Sequence, residues 1–253
     1  MPELLIIFPT YNEESGIRKT IDTASSYIRD RHRDATIVVA DSSDRDATRE
    51  IAAALAASDP HVEHHEFPDG TGRGRKVREA ALARPDYRVY ASVDADLPIT
   101  MAELDAIVTA VERGADVAAA SKYVRGGSST RPLQRVILSR LGNRFFNLFL
   151  QVPVHDLLAG AKAWNRAVNA EIVPQVRNDE YYFDAELLFR AHRAGKRIAE
   201  VPVHYIDPRA LSAIRLAKLG VEFARNTYSL LTADDARSAG SSGRRVGHDA
   251  TPT

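Results

Sequence analysis

The sequence of 253 residues predicts an α/β fold with a mostly parallel central sheet and helices on both of its faces. Two observations support this prediction. Short apolar runs, of the kind that form buried strands, alternate with amphipathic stretches of helical periodicity. Acidic residues stand close behind several of these runs, at the carboxyl ends of the expected strands, and open α/β sheets bind ligands at this edge.

The first half of the chain alternates strands and helices in a regular order. Five apolar runs predict strands at residues 4–8, 36–40, 62–66, 87–93 and 117–120. Amphipathic stretches predict helices near residues 14–29, 46–57, 73–83 and 101–113. Thr100 and Glu103 have the spacing of a capping box, so we expect the fourth helix to begin soon after the fourth strand.

The second half is less regular. A basic, amphipathic segment predicts a long helix over residues 132–150, with Pro132 in its first turn. Further patterns predict a strand near 161–164, a helix near 183–194, strands at 197–201 and 203–206, and a last helix at 212–231. Beyond this helix the chain has almost nothing to bury, which predicts a disordered tail.

Composition limits the classes of function. The 34 basic and 34 acidic residues balance, so bulk charge gives no support for a nucleic-acid partner. The absence of cysteine excludes disulfides, zinc–thiolate sites and thiol nucleophiles. We find no signal peptide and no apolar run of about eighteen residues, so we expect a cytoplasmic chain without a membrane-spanning helix.

The fourth strand is followed by two carboxylates, Asp94 and Asp96, one residue apart. Such a pair can hold a hard cation through oxygen ligands, and the cation can carry a diphosphate. Asp-x-Asp triplets also arise by chance, and Asp44 and Asp46 form another. The pattern therefore gains its meaning from the strand that precedes it.

Two other strand ends carry polar side chains. The first strand ends near Pro9, Tyr11 and Glu13, where a flat ring and a carboxylate are suited to a nucleobase; an acidic helix start is the structural alternative. Asp41 ends the second strand, too early to cap the next helix, for which Asp46 is a suitable N-cap residue. Carboxylates after three strands, the first, second and fourth, indicate a ligand site more strongly than any one of them.

Together these stretches resemble the family 2 glycosyltransferases of the GT-A fold, and among them the dolichyl-phosphate and polyprenyl-phosphate mannosyltransferases. The likeness covers about residues 3–215 in the right order. It is carried by residues 8–14, 94–97, 120–143, 154–164 and 198–203.

The resemblance implies a single GT-A domain over residues 1–231, followed by a disordered tail at 232–253. Residues 1–121 would bind the nucleotide-sugar, and residues 122–231, with their amphipathic helices, would bind the acceptor. The implied reaction is an inverting transfer of a sugar, with GDP-mannose favoured as the donor, to a polyprenyl or dolichyl phosphate. A UDP-sugar donor such as UDP-glucose is the alternative; a nucleotidyltransferase and a non-catalytic membrane-surface module are more distant ones.

The resemblance also implies site residues. Mg²⁺ or Mn²⁺ would be held by Asp94 and Asp96. The expected nucleotide-sugar site consists of Pro9, Tyr11, Glu13, Asp41, Lys76, Asp94, Ala95 and Asp96. The expected acceptor-phosphate site consists of Lys122, Arg135, Ser139, Arg140, Lys162 and Arg209. Asp96, Arg140 and Lys162 are expected to act in catalysis, without a general base, because a phosphate acceptor is largely ionised at neutral pH.

The chain departs from the family pattern at several positions. Ser42 stands where a second Asp is common after the second strand, and Pro98 stands where many members have Gln. Lys162 replaces an Arg, which keeps the charge but loses a bidentate fork for phosphate. These departures weaken the prediction of the substrate, leave room for a specialised acceptor, and leave the predicted fold class unchanged.

The basic segment at residues 132–150 has two interpretations. Its apolar residues recur at helical spacing beside Arg pairs, which is typical of a helix at a membrane surface. A stripe packed into the core is the alternative, and the same choice applies to residues 212–231. A separate membrane protein that anchors the chain is a further expected partner. Asp184, which opens a predicted helix, is either a capping residue or a member of the acceptor site.

Overall fold

The computed structural model describes residues 3–130, 133–206 and 220–232, and for residues 133–135 and 138 it describes the backbone alone. The strands of this part of the chain are β1 Leu4–Thr10, β2 Ala35–Asp41, β3 Val62–Glu66, β4 Val89–Ser92, β5 Val117–Ser121, β6 Ser128–Ser129, β7 Lys162–Asn165, β8 Ile198–Pro202 and β9 His204–Tyr205. The helices are α1 Ile17–Asp30, α2 Thr48–Ser58, α3 Arg73–Leu82, α4 Met101–Glu112, α5 Leu133–Leu150, α6 Arg166–Glu171, α7 Phe183–Arg193 and α8 at residues 220–232.

Seven strands form the central sheet, in the order β3-β2-β1-β4-β7-β5-β8. Strand β7 is antiparallel to β4 and β5, and the other neighbouring pairs are parallel. A separate parallel pair is formed by β6 and β9. The predicted fold class, a mostly parallel sheet surrounded by helices, is confirmed.

Both faces of the sheet are buried. On β1, Leu5 and Ile7 belong to one apolar cluster, whereas Ile6 and Phe8 belong to the cluster on the opposite face. Successive side chains of a strand point to opposite faces, so each face receives every second residue. Because helices cover both faces, β1 reads as a continuous apolar run rather than an alternating one.

The predicted capping box forms at the start of α4. The Thr100 hydroxyl accepts a hydrogen bond from the Glu103 amide at 3.2 Å, and Glu103 Oε2 accepts one from the Thr100 amide at 2.8 Å. The prediction for Asp46 needs correction: α2 begins at Thr48 with Ala47 as its N-cap. Asp46 lies one residue before this N-cap, and its Oδ1 still accepts a hydrogen bond from the Thr48 amide at 3.1 Å.

Some elements were not predicted. Helix α6 is only six residues long, and a 3₁₀ turn at Val173–Gln175 follows it, so neither is long enough to show a period. Apolar content also does not reveal the direction of a strand, so the antiparallel β7 was not foreseen. The predicted tail beyond residue 232 and the first part of the predicted last helix, residues 212–219, lie outside the described residues.

Among the described residues, no helix combines the length and the apolar character that a membrane span requires.

Candidate functional site

A cavity of about 400 Å³ lies at the carboxyl ends of β1 and β4. It is lined by Pro9, Tyr11, Glu13, Gly70, Thr71, Gly72, Arg73, Lys76, Asp94, Ala95, Asp96, Glu180 and Tyr181. All the residues expected to bind the nucleotide-sugar, except Asp41, therefore lie together at this edge of the sheet. Their role in binding remains a prediction.

The two carboxylates follow β4 in a tight turn. The Leu97 amide donates to the Asp94 carbonyl at 3.0 Å, and Leu97 has a φ of 49°, in the left-handed region that bulky residues seldom adopt. Such strain persists only where surrounding structure imposes it, and it is frequent at functional sites. The turn holds both Asp94 and Asp96 at the cavity wall.

This pair fits a divalent metal that is shared with a substrate. The described residues contain no group of three or more His, Cys, Asp or Glu side chains placed to hold an ion. Two carboxylates are nevertheless a common protein contribution for Mg²⁺, which takes its other ligands from substrate phosphates and water. Asp94 and Asp96 are the side chains that would hold the ion.

Asp41 lies beneath the cavity rather than in its wall. Its side chain is fully buried, and it accepts hydrogen bonds from the Ser43 amide at 2.9 Å and the Ser43 hydroxyl at 2.5 Å. His64 Nε2 lies 3.4 Å from its other oxygen. Burial alone would raise the pKa of Asp41, but the hydrogen bonds from His64 and Ser43 hold it below its ordinary value. The Asp41 side chain thus supports the loop after β2, and its predicted contact with the nucleotide stays a prediction.

Lys76 extends from α3 into the floor of the cavity. Its Nζ donates to the Thr10 carbonyl at 2.6 Å and to the Ser42 hydroxyl at 2.8 Å. The same atom lies 5.9 Å from the centre of the Tyr11 ring, which is 39% exposed. Burial lowers the pKa of Lys76 to about 8. A cation and an exposed ring thus lie side by side, as recognition of an anionic nucleotide requires.

Arg73 was missed by the sequence reasoning. It is buried at the start of α3, and its guanidinium contacts three segments. Nε donates to Asp94 Oδ1 at 2.6 Å, one terminal nitrogen to Asp184 Oδ2 at 2.7 Å, and the other to the Gly160 carbonyl at 2.7 Å. Burial would lower the pKa of Arg73, but attraction to Asp184 and Asp94 outweighs it and keeps the side chain charged.

The glycines beside Arg73 were the signal that could have revealed it. A Cβ on Gly72 would lie 2.2 Å from the Asp179 carbonyl oxygen, and a Cβ on Gly74 would lie 2.6 Å from Phe183 Cβ. The glycine-rich stretch therefore marks a close approach of α3 to the segment that enters α7, and this approach brings Arg73 to Asp184.

Lys162, expected at the acceptor phosphate, has no exposed surface. Its Nζ donates to the Ala159 carbonyl and lies 3.4 Å from Asp184 Oδ1. Burial lowers the pKa of Lys162, and attraction to Asp184 offsets only part of this shift. In this geometry Lys162 pairs with Asp184 beneath the cavity, and its expected contact with the acceptor phosphate stays a prediction.

A second cavity, of about 760 Å³, lies between α5 and the loop at residues 152–155. It is lined by Tyr123, Arg140, Asn143, Arg144, Asn147, Leu148, Val152, Pro153, Val154 and His155. Asn147 holds the loop in place, because its side chain accepts from the Val152 amide at 2.9 Å and donates to the Val154 carbonyl at 2.8 Å.

The residues expected at the acceptor phosphate do not all lie at one place in the structure. Arg140 lines the second cavity, with its guanidinium 5.2 Å from the Tyr123 ring centre, and Ser139 accepts from the Tyr123 hydroxyl at 2.7 Å. Lys122 is buried and forms an ion pair with Asp156, to whose Oδ2 it donates at 2.6 Å. The side chain of Arg135, and Arg209 altogether, lie outside the described residues.

One face of α5 leaves large apolar side chains in solvent. They are Ile137, Leu141, Phe145, Leu148 and Phe149, with exposed fractions between 47% and 70%. Phe146 and Leu150 of the same helix are buried. The apolar residues of α5 therefore belong to the core at two positions and are exposed at five, among the described residues.

Comparison with known proteins places the chain in a family. Residues 5–173 match glycosyl transferase family 2. The polyprenol monophosphomannose synthase of Mycolicibacterium smegmatis is 32% identical over 208 residues, which are 80% of this chain and 77% of that protein. The chain thus belongs to the family 2 glycosyltransferases, the class of enzyme that the sequence predicts.

Two further relatives extend the comparison. Glycosyltransferase AglD of Haloferax volcanii is 33% identical over 239 residues, and the chain spans only 37% of the length of that protein. The glucosyl-3-phosphoglycerate synthase of Mycobacterium tuberculosis, solved with Mn²⁺, UDP and glucosyl-3-phosphoglycerate, has a TM-score of 0.68. It is 18% identical, and the alignment covers 92% of this chain and 79% of that one, so it shows a shared fold.

Proposed function

We propose that this chain transfers a sugar from a nucleoside diphosphate to the phosphate of a polyprenyl lipid, with GDP-mannose as the favoured donor. The observation that carries the proposal is the cavity in which Asp94, Asp96 and Lys76 converge beside the exposed ring of Tyr11. The 32% identity to a polyprenol monophosphomannose synthase supports both the mannosyl donor and the lipid acceptor. UDP-glucose is the alternative donor.

The donor would bind with its base against Tyr11 and its diphosphate towards Asp94 and Asp96. Lys76 supplies positive charge between these two parts of the nucleotide, 5.9 Å from the ring centre. Mg²⁺ or Mn²⁺, when held by the two carboxylates, would neutralise the charge that develops on the leaving diphosphate. The ring, the cation and the carboxylates orient the sugar for attack.

The residues around the acceptor have to position its phosphate and attract its charge, and they need not supply a general base. A phosphate monoester has a second pKa near ~6, so its oxygen is already a competent nucleophile at neutral pH. Arg140 lines the second cavity, where it is placed to hold such a phosphate, and Arg144 adds a second positive charge. An oxygen positioned opposite the leaving diphosphate would displace it in line, with inversion at the anomeric carbon.

The lipid part of the acceptor requires an apolar neighbour. The five exposed apolar side chains of α5 lie on the helix that supplies Arg140 and Arg144. We therefore assign this face to the surface of an anionic membrane, and we propose that this is the cytoplasmic face of the membrane. A membrane-anchoring protein partner is the alternative occupant of the same face.

Thermal unfolding with GDP, UDP or ADP, each with Mn²⁺ or EDTA, tests the donor site. A ligand at ~100 times its Kd stabilises the folded chain by about 2.7 kcal/mol, which raises Tm by roughly 5–10 °C for a chain of this size. We expect this shift with GDP and Mn²⁺, and its loss with EDTA. A shift with UDP alone would select the alternative donor; no shift with either nucleotide would contradict the proposed function.

A further inference from the structure

Arg73 has a bonding pattern that the proposed roles do not explain. Its three nitrogens reach Asp94 after β4, Gly160 before β7 and Asp184 in α7. Only 7% of its side chain is exposed. A buried guanidinium with three such partners has a fixed position, because its planar fork allows little other geometry.

Asp94 is held from two sides. Arg73 Nε lies 2.6 Å from its Oδ1, and the backbone of Gly160 lies against its Oδ2. A Cβ added to Gly160 would come within 2.5 Å of that oxygen. The carboxylate still keeps 27% of its side chain exposed at the cavity wall. Its orientation is therefore imposed by neighbours and not by its own turn alone.

Asp184 and Lys162 complete the support. Asp184 accepts from Arg73 at 2.7 Å on one oxygen and lies 3.4 Å from Lys162 Nζ on the other. Two carboxylates and two cations thus form one compensated group, with Asp94 and Arg73 at the cavity wall and Asp184 and Lys162 beneath it. A buried charge left without its partner is costly, so each member holds the next in place.

We propose that Arg73 is a positioning residue that orients Asp94 for metal binding, with Asp184 and Lys162 fixing Arg73 from below. The inference deepens the proposed function, on which it rests in taking Asp94 as a metal ligand. Arg73 itself would not be a metal ligand and would act through Asp94. Residues that orient a metal ligand typically contribute ~10–100-fold to metal affinity.

Mn²⁺ binding to the purified chain, measured from the electron paramagnetic resonance signal of free Mn²⁺ both without nucleotide and with GDP, tests this role. Arg73→Lys keeps the charge but cannot reach three partners. Gly160→Ala changes no charge and pushes a methyl group towards Asp94 Oδ2. Arg78→Lys is the matched control, because Arg78 also links α3 to a distant segment, through Val176 and Asp179, but does not line the cavity.

We expect Arg73→Lys and Gly160→Ala to weaken Mn²⁺ binding by ~10–100-fold and Arg78→Lys to leave it unchanged. Thermal unfolding in EDTA reports the stability of each variant separately, so a purely structural arginine would lower Tm without this selective loss. If Arg73→Lys does not fold, Gly160→Ala decides the question.

Wild-type Mn²⁺ affinity in the folded variants would overturn the inference. So would a wild-type chain that binds Mn²⁺ neither alone nor with GDP, because Asp94 would then hold no metal for Arg73 to orient. Sugar transfer does not enter this measurement. A chain that shows the predicted Mn²⁺ affinities but transfers no sugar would contradict the proposed function alone.

Discussion

Lys76 carries a pH dependence that follows from its burial. Its pKa is about 8 in the folded chain, against an ordinary value of 10.5, because burial disfavours the charged form. If its charge attracts the nucleotide, affinity for GDP with Mn²⁺ should fall as the pH rises through about 8. Between pH 7 and pH 9 the protonated fraction drops by about tenfold, which sets the expected size of the loss.

Isothermal titration at pH 7, 8 and 9 measures this effect. Lys76→Met should bind GDP weakly at every pH, with no fall in affinity between pH 7 and pH 9. Lys19→Met removes an exposed lysine of α1 and should show the same pH dependence as the wild type. A wild-type affinity that stays constant to pH 9 would exclude a role for the Lys76 charge. The free energy of unfolding has the opposite pH dependence. Below pH 8 the buried charge of Lys76 destabilises the folded chain, and this destabilisation is relieved as the pH rises from about 8 to 10.5.

The sequence predicted some residues of the candidate site and missed others. Asp94 and Asp96 were found because a strand end has a fixed place in an α/β sheet. The burial of Lys162 and Asp41 was not visible, because it depends on residues far away in the chain. Arg73 stands between two glycines, and only its distant partner Asp184 reveals its place.

Helix α5 shows which features helical periodicity can predict and which it cannot. The sequence predicted its bounds within one residue but left two interpretations of its apolar stripe, a membrane face or a packed core. Which side chains are covered depends on neighbours such as α8, where Phe223 lies 5.8 Å from the Phe146 ring. The structure supports both interpretations on different residues, since Phe146 is buried and Leu148 is 70% exposed.

The exposed face of α5 should bind anionic membranes. Replacing both Leu141 and Leu148 by Ser removes apolar surface that would contribute ~1.5–3 kcal/mol per side chain, so liposome affinity should fall by more than about tenfold. Binding should also weaken with added salt, because Arg140 and Arg144 are exposed cations. Co-sedimentation with phosphatidylglycerol vesicles measures both effects.

Leu82→Ser is the matched control for the membrane measurement, because Leu82 is an exposed leucine on α3, 36% accessible and away from this face. It should bind vesicles like the wild type. Equal binding by the double variant and the control would remove the membrane role from α5. An unchanged Tm in all of these variants would show that the loss concerns binding and not folding.

At the scale of the whole molecule, one irregular strand from the second half of the chain reaches the first cavity. Because β7 is inserted antiparallel between β4 and β5, Gly160 arrives beside Asp94, and Lys162 lies beneath the same edge. Local patterns predicted the strands on either side, since each is a buried apolar run. The direction and the neighbours of β7 depend on long-range pairing, which periodicity does not encode.

Transfer of radiolabelled mannose from GDP-mannose to a polyprenyl phosphate in detergent, with Mn²⁺, tests the central claim most directly. We predict label in the lipid extract for the wild type and for Asp86→Asn, an exposed carboxylate at the opposite end of β4. Asp96→Asn should lower transfer by more than about a hundredfold, because metal stabilisation of a leaving group contributes several kcal/mol. Lipid label from UDP-glucose instead would change only the donor. No label from either donor, or wild-type transfer by Asp96→Asn, would contradict the proposed activity at this site.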